Sequence, residues 1–298
     1  MATPIEDKVN AREISPMTKE EEESFNDVVA TLNAKDKAWV KANPLDLVII
    51  VRGFFDEKDR QKATIDACTR IYEWRDKVDF HGTLMTQFHE KFRDFHSWWP
   101  EEVHGTDKHG HTLHVLRIGE VLAAKLETLE PLEIEYLQGQ RMMAYSIYKQ
   151  KRAKERGEQR YLHTLVIDLA GVSLNLTASK KRAVLKCILD IGSHYFPESV
   201  YKIYLTCVPM LFRAAWSVIK PWLHPATAAK VNLLGAYPAA LAQMGKEGIP
   251  ASSCPKWLGG TSEGVSALKL IEVPPRPHVP RRARLAPLLW QDFLLHTV

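Results

Sequence analysis

Apolar positions along this chain change period several times, and the changes mark out its elements. From about Glu57 to Lys77 the spacing is helical: Ile65, Cys68 and Tyr72 fall on one stripe, with Ile71 and Trp74 beside it. Upstream, Thr18 ahead of Glu20 to Glu23 reads as a helix start, with acids in the first turn where the dipole favours them. Leu45 to Arg52 is a short apolar run between the two. Thr106-Asp107-Lys108-His109-Gly110 is a turn signal leading into a strand over Thr112 to Ile118. Pro131 opens a long helix that runs to Arg156, where Gly157 is placed to cap it. Tyr161 to Leu169 is almost continuously apolar, the pattern of a strand buried on both faces. A helix capped by Thr177 or Ser179 follows, with Val184, Cys187, Ile188, Ile191 and Tyr195 on one face. Val200 to Thr206 predicts a strand, Lys230 to Leu234 a shorter one, and Ala236 to Gly245 a last helix.

Strands alternating with helices predict an α/β protein, a sheet with helices packed against it. Four segments follow. Residues 1–17 show no periodicity and are expected to be disordered; 18–95 form a helical N-terminal module; 96–262 form the α/β domain; 263–298 are a Pro/Arg-rich tail, expected to be disordered. The segment Met210 to Leu223 stands apart. Leu211, Phe212, Ala215, Trp216, Val218 and Ile219 leave a helix there apolar around nearly its whole circumference. Such a helix is buried completely or meets lipid or a partner on one side.

Composition narrows the classes. A net charge of +4 is too small, and too dispersed, for a nucleic-acid binder. The basic residues do cluster locally, at Lys149 to Arg160 and again at Arg276 to Arg284, as solvated surface or as a surface for anionic headgroups. Cys68, Cys187, Cys207 and Cys254 make no Cys-x-x-Cys pair, which points to a reducing compartment and away from a cysteine zinc site. The N-terminus has no signal-peptide core and no apolar run is long enough to span a bilayer, so a cytoplasmic protein with peripheral membrane contact is expected.

Particular words fill these elements in a fixed order. They are Thr106-Asp107-Lys108-x-Gly110, Ile167-Asp168-Leu169-x-Gly171-Val172-Ser173 and Tyr195-Phe196-Pro197-Glu198. Lys220-Pro221-Trp222-Leu223-x-Pro225-x-Thr227-x-x-Lys230, Leu234-Gly235, Ile249-Pro250 and Pro255-x-x-Leu258-Gly259-Gly260 complete the series. In this order the chain resembles the CRAL-TRIO lipid-binding family, which includes the phosphatidylinositol transfer proteins, from about Leu45 to Gly260. The resemblance implies an α/β sandwich with an apolar cavity gated by a helix, here Met210 to Ile219. Leu211, Phe212, Ala215, Trp216 and Ile219 are then the residues that meet lipid. It implies one bound phospholipid as ligand, no catalysis, no cofactor and no metal, and transfer of that lipid between membranes by a monomer.

For the polar end, the resemblance points to Glu198 accepting from inositol hydroxyls and Lys230 donating to phosphate. A plain salt bridge between the two is the competing reading. Arg52 is the single basic residue where relatives carry an Arg-Lys pair. His114, His163 and Leu165 stand where relatives contact phosphatidylcholine, so that lipid is disfavoured and phosphatidylinositol is the expected cargo. His114 and His163 are either hydrogen-bonded core residues or contacts to the ligand. A carrier of another hydrophobic molecule (retinoid, tocopherol, sterol or a haem-like ligand) is the alternative. An anionic membrane surface is the expected transient partner. His104, His109, His111 and His114 lack the helical spacing of a zinc site. Gly171 to Asn175 lacks the second glycine of a nucleophile elbow.

Overall fold

The computed structural model describes residues 4–54, 58–86, 88–157, 160–172, 179–210, 212–223, 225–266 and 269. A helical module comes first: α1 (Pro4–Ile14), α2 (Lys19–Thr31), α3 (Ala34–Ala42), α4 (Pro44–Arg52) and α5 (Arg60–Lys77). The capping predicted for α2 is present, with Thr18 accepting from the Glu21 amide and Glu21 accepting from the Thr18 amide. Two expectations need correction. Residues 4–14, expected to be disordered, form α1, because Glu13 is fully buried against the sheet and ties the helix down. On α5, Ile65 is 38% exposed, and the buried stripe runs instead through Thr64, Ala67, Cys68, Ile71, Tyr72, Trp74 and Arg75. The difference is one helical step of rotation, set by the neighbours that α5 packs on. Glu57, the expected start of this helix, lies outside the described residues.

After α6 (Phe92–Trp98) the sheet begins with β1 (Glu101–Thr106) and β2 (Thr112–Arg117). A short α7 (Ala123–Leu126) leads to α8 (Pro131–Arg156), whose start at Pro131 and left-handed stop at Gly157 (φ +67°) match the sequence pattern. Then come β3 (His163–Asp168), α9 (Ser179–Tyr195), β4 (Val200–Thr206), α10 (Phe212–Ile219), α11 (Pro225–Ala229), β5 (Val231–Leu233), α12 (Tyr237–Lys246) and β6 (Val265–Ser266). The residues named as caps of α9 include Thr177, which lies outside the described residues.

The sheet is mixed, in the order β5-β4-β3-β2-β1-β6. Strands β2 to β5 run parallel, and β1 is antiparallel to both β2 and β6. Parallel neighbours need crossovers, and α8, α9 and the α10–α11 segment supply them. Strand β1 has no apolar alternation and is not predicted by the sequence; pairing on both sides makes it a strand. Strand β6 carries the ordered chain past residue 262, into the segment expected to be tail.

One face of the sheet is packed solid. Leu113, Val115, Val166 and Tyr204 meet Ala240 and Met244 of α12, together with Ile249, Cys254 and Leu258. The helical module joins the domain from the other side. Trp74 stacks on Tyr195 (4.7 Å, 9°) and meets Phe196 edge-on (5.7 Å). Gly139 lets α8 approach: a Cβ there would lie 3.1 Å from the Trp74 ring. Buried aromatics of this size each carry roughly 3–5 kcal/mol against truncation, so the module and the sheet domain share one core.

Candidate functional site

The second face of the sheet is built from His163, Leu165 and Ile167 of β3, with His114 and Leu116 of β2 and Ile203 and Leu205 of β4 in register beside them. β3 is central, yet Leu165 and Ile167 remain partly exposed, while Thr164, Val166 and Asp168, which point the other way, are buried. The centre of this face is covered less completely than the opposite one. Its walls are aliphatic, as acyl chains require at roughly 0.8 kcal/mol per buried CH₂.

Helix α10 roofs part of this face. Phe212 and Trp216, one turn apart and stacked (6.0 Å, 21°), pack with Leu165, Ile167, Ile203, Leu205 and Val231. Of the expected lipid contacts, Phe212 and Trp216 lie on the sheet side and Ile219 is half-buried. Leu211 and the side chain of Ala215 lie outside the described residues. The far side of the roof is apolar too: Val218 is 45% exposed and Met210, just before the helix, is 94% exposed. Residues 212 and 218 are six apart, so they point to different sides of a 3.6-residue helix. The described helix is shorter than the greasy run in the sequence, because Lys220–Trp222 tightens into a 3₁₀ turn at Pro221.

At the amino ends of β4 and β5 stand the two expected headgroup residues. Glu198 lies in the turn between α9 and β4 with φ +48°, a left-handed conformation that a non-glycine residue adopts at a cost. It points the carboxylate at Lys230, whose Nζ is 3.6 Å away. That separation is an ion pair but longer than a hydrogen bond. Lys230 Nζ donates instead to the Val200 carbonyl at 2.7 Å. Among the described residues nothing donates a hydrogen bond to Glu198. Gly53, after α4, packs against this turn; a Cβ there would lie 3.3 Å from Glu198 Cγ and Pro197 Cβ. The two residues are therefore brought together, and the carboxylate keeps its hydrogen-bonding capacity.

Arg52 is placed differently from the expectation. It is buried at the end of α4, donating to Glu21 (3.3 Å) and to the carbonyls of Glu13 (3.2 Å) and Ser15 (2.7 Å). Arg12 and Arg60 share the same Glu21 carboxylate. Arg52 thus secures α1 and α2 to α4, with its hydrogen bonds committed to these acceptors.

His114 and His163 are both buried and stack at 4.1 Å (27°) under α8. His114 Nδ1 donates to Glu101 Oε1 at 3.2 Å. His163 Nδ1 accepts from Lys149 Nζ at 3.2 Å, and Lys149 also donates to the Ser199 carbonyl at 3.3 Å. Burial and the charges of His114 and Lys149 hold His163 well below the ordinary histidine range, and burial lowers His114 too. Lys149, expected in a solvated basic cluster, is only 6% exposed, and burial draws its ammonium down to about 7. Its helical position gave no sign of this, because Arg141, Tyr145 and Lys149 recur every fourth residue, a spacing that suits a polar stripe as well as an inward one. The remaining histidines scatter. His111 bridges Glu13 and Asp107, and His104 meets Ser262 and Glu102. Among the described residues no group of three or more His, Cys, Asp or Glu side chains is arranged to hold a metal ion. Ser173 and its neighbours to Asn175 lie outside the described residues.

Comparison with known proteins is consistent with this arrangement. The chain is 26% identical over 263 residues to the phosphatidylinositol/phosphatidylcholine transfer protein SFH11 of Arabidopsis thaliana, covering 85% of this chain and 65% of that protein. It is 25% identical over 248 residues to the SEC14 cytosolic factor of Yarrowia lipolytica, covering 77% of this chain and 49% of that protein. The chain thus spans about half to two thirds of the length of these relatives. The crystal structure of Sfh5 superposes with a TM-score of 0.52 at 15% identity, over 77% of this chain and 85% of that one, and shows the same fold. The CRAL/TRIO domain profile matches residues 99–260, more than half of the chain, and the chain belongs to that family.

Proposed function

We propose that this protein carries one phospholipid, with phosphatidylinositol as its preferred cargo, in the open side of the sheet beneath α10, and exchanges it at membrane surfaces. The observation that carries this reading is the partly exposed Leu165–Ile167 floor, roofed by Phe212 and Trp216 and ending at the Glu198–Lys230 pair. Acyl chains lie against the aliphatic floor. The phosphate takes Lys230, which is partly buried and held by Val200, and inositol hydroxyls donate to Glu198. The relatives' names, phosphatidylinositol/phosphatidylcholine transfer protein among them, support the same class.

Nothing in this scheme makes or breaks a covalent bond, and the lipid is a ligand rather than a cofactor. The protein works as a monomer in the cytoplasm and meets membranes peripherally. No described helix is long and apolar enough to cross a bilayer. The apolar outer side of α10, with Met210 and Val218, docks on an anionic leaflet, and roof and floor separate there. The test is mass spectrometry of lipid extracted from the purified full chain, followed by transfer of labelled phosphatidylinositol between vesicles. A phospholipid in the extract and measurable transfer are expected. A sterol, retinoid or tocopherol in its place would overturn the cargo, and an extract free of any lipid, with no transfer, would overturn the carrier reading itself.

A further inference from the structure

Two ammonium groups meet consecutive carbonyls at the start of β4. Lys230 donates to the carbonyl of Val200, and Lys149, arriving from α8, donates to the carbonyl of Ser199, the residue before it. Glu198 stands beside Lys230, but among the described residues no carboxylate lies within ion-pair distance of Lys149. The nearest acids that act on Lys149 through space are Glu13 and Glu101. Both are committed elsewhere, Glu13 to His111, Arg160 and two backbone amides, and Glu101 to His114. The third neighbour, His163, offers a neutral ring nitrogen. A buried lysine with only neutral acceptors is costly unless something else supplies the charge.

We infer that Lys149, backed by His163, is a second cationic anchor of the lipid site, and that with Lys230 it selects cargo whose headgroup is net anionic over zwitterionic phosphatidylcholine. This rests on the lipid-carrier reading above. A phosphate seated at the start of β4 meets two ammoniums and one carboxylate. An inositol lipid or a phosphatidate completes that charge balance. A choline headgroup brings a fixed cation into a corner that holds two ammoniums and one carboxylate. The low basicity of the buried ammonium agrees with the geometry, since the free site holds Lys149 partly neutral and an anion would recharge it. The charged and titratable groups that act on Lys149 are Glu13 and Glu101, with His114 and His163 beside them.

The experiment incubates the full chain with vesicles of phosphatidylcholine mixed with equal phosphatidylinositol or phosphatidate. Native mass spectrometry then identifies which lipid is captured, for the wild type, Lys149→Met and Lys149→Arg. The wild type is expected to capture the anionic lipid nearly exclusively, with capture falling roughly tenfold between about pH 7 and pH 8.5 as Lys149 loses its proton. Lys149→Met is expected to lose that pH dependence and most of the preference, and to keep its fold, because a methionine removes an uncompensated charge at similar volume. Lys149→Arg, charged throughout, is expected to keep anionic capture at the higher pH. Phospholipid capture by the wild type that is indifferent to headgroup charge, or a preference unchanged in Lys149→Met, would overturn the inference and leave the carrier reading standing. No capture of any phospholipid by the wild type would overturn both. Competition by inorganic phosphate or soluble inositol phosphate as effective as lipid would make the anchor a soluble-anion site and overturn its role in lipid selection.

Discussion

Glu13 and His111 are 98 positions apart, yet Glu13 Oε2 accepts from His111 Nε2 at 2.7 Å in a site closed to solvent. The other imidazole nitrogen donates to Asp107 Oδ2 at 2.9 Å, and the second Glu13 oxygen takes the amides of Tyr161 and Leu162 just before β3. One carboxylate from α1 therefore terminates the backbone of the central strand and pairs with the turn that opens β2. Burial alone would raise both acids and lower the imidazole. Hydrogen bonds and opposite charges outweigh it, so His111 is raised while Glu13 and Asp107 are lowered.

The signs give a pH window for stability. His111 is raised, so its contribution is complete below its ordinary 6.5 and is lost as pH climbs through its folded value. Glu13 and Asp107 are lowered, so theirs is present above their ordinary 4.5 and 3.8 and is lost as pH falls. His111→Gln is expected to cost about 3 kcal/mol where all three are charged, since it leaves two buried acids without their cation. The difference from wild type should shrink above neutrality. Urea unfolding across the pH range measures it, and a difference that grows with pH would contradict the assignment.

Filling the open face should abolish cargo without harming the fold. Ile167 is central and partly exposed, so Ile167→Trp can place its ring over the floor that acyl chains need. Lipid co-purifying with this variant is expected to fall by roughly an order of magnitude, with an unchanged or higher melting temperature. Full occupancy in the variant would mean that the ligand lies elsewhere.

The headgroup pair should separate binding from stability. Glu198→Gly relieves the left-handed backbone at φ +48° and is expected to raise stability slightly, by up to about 1 kcal/mol, while weakening inositol-lipid capture. Lys230→Ala removes a charge-assisted contact worth about 1.5–3 kcal/mol, so capture should drop about ten- to a hundredfold. Because its ion pair is long, at 3.6 Å, thermal unfolding should move little. Calorimetry and vesicle transfer on the two variants check both halves.

The outer side of the roof should matter at the membrane and nowhere else. Met210→Asp combined with Val218→Asp places two carboxylates on exposed positions that contribute nothing to the core. Transfer and vesicle co-sedimentation are expected to fall at least about tenfold, from lost insertion and repulsion by anionic lipid. Lipid already bound in the purified protein should be unaffected. Normal co-sedimentation would move membrane docking to another surface.

Local pattern located much of this architecture. Pro131 to Arg156 and Val200 to Thr206 are helix and strand with the bounds read from the chain, because a proline start, a glycine stop and a β-branched run act within a few residues. The same reading missed β1, whose Glu101-Glu102-Val103-His104-Gly105-Thr106 has no alternation of its own. It missed α1 as well, which owes its place to buried Glu13 and to Val9 packed with Tyr161, Leu162 and Tyr201. The approach of Glu198 to Lys230 was legible through their motifs, whereas the burial of Arg52 and Lys149 was not. Arg52 ends an apolar run and Lys149 lies in a basic cluster, and the chain alone does not say that either turns inward.

By itself the sequence determined most of the alternating helices and strands from α2 to α12, the family, the apolar roof and the two charges at the strand starts, all of which depend on neighbours a few residues apart. Only the tertiary structure decided which charges are enclosed: Arg52 on Glu21, Glu13 on His111, and Lys149 beside His163 with no acid of its own. Burial is a property of the assembled layers, and contacts across tens of residues are favourable only after packing has met the entropy of closing those loops.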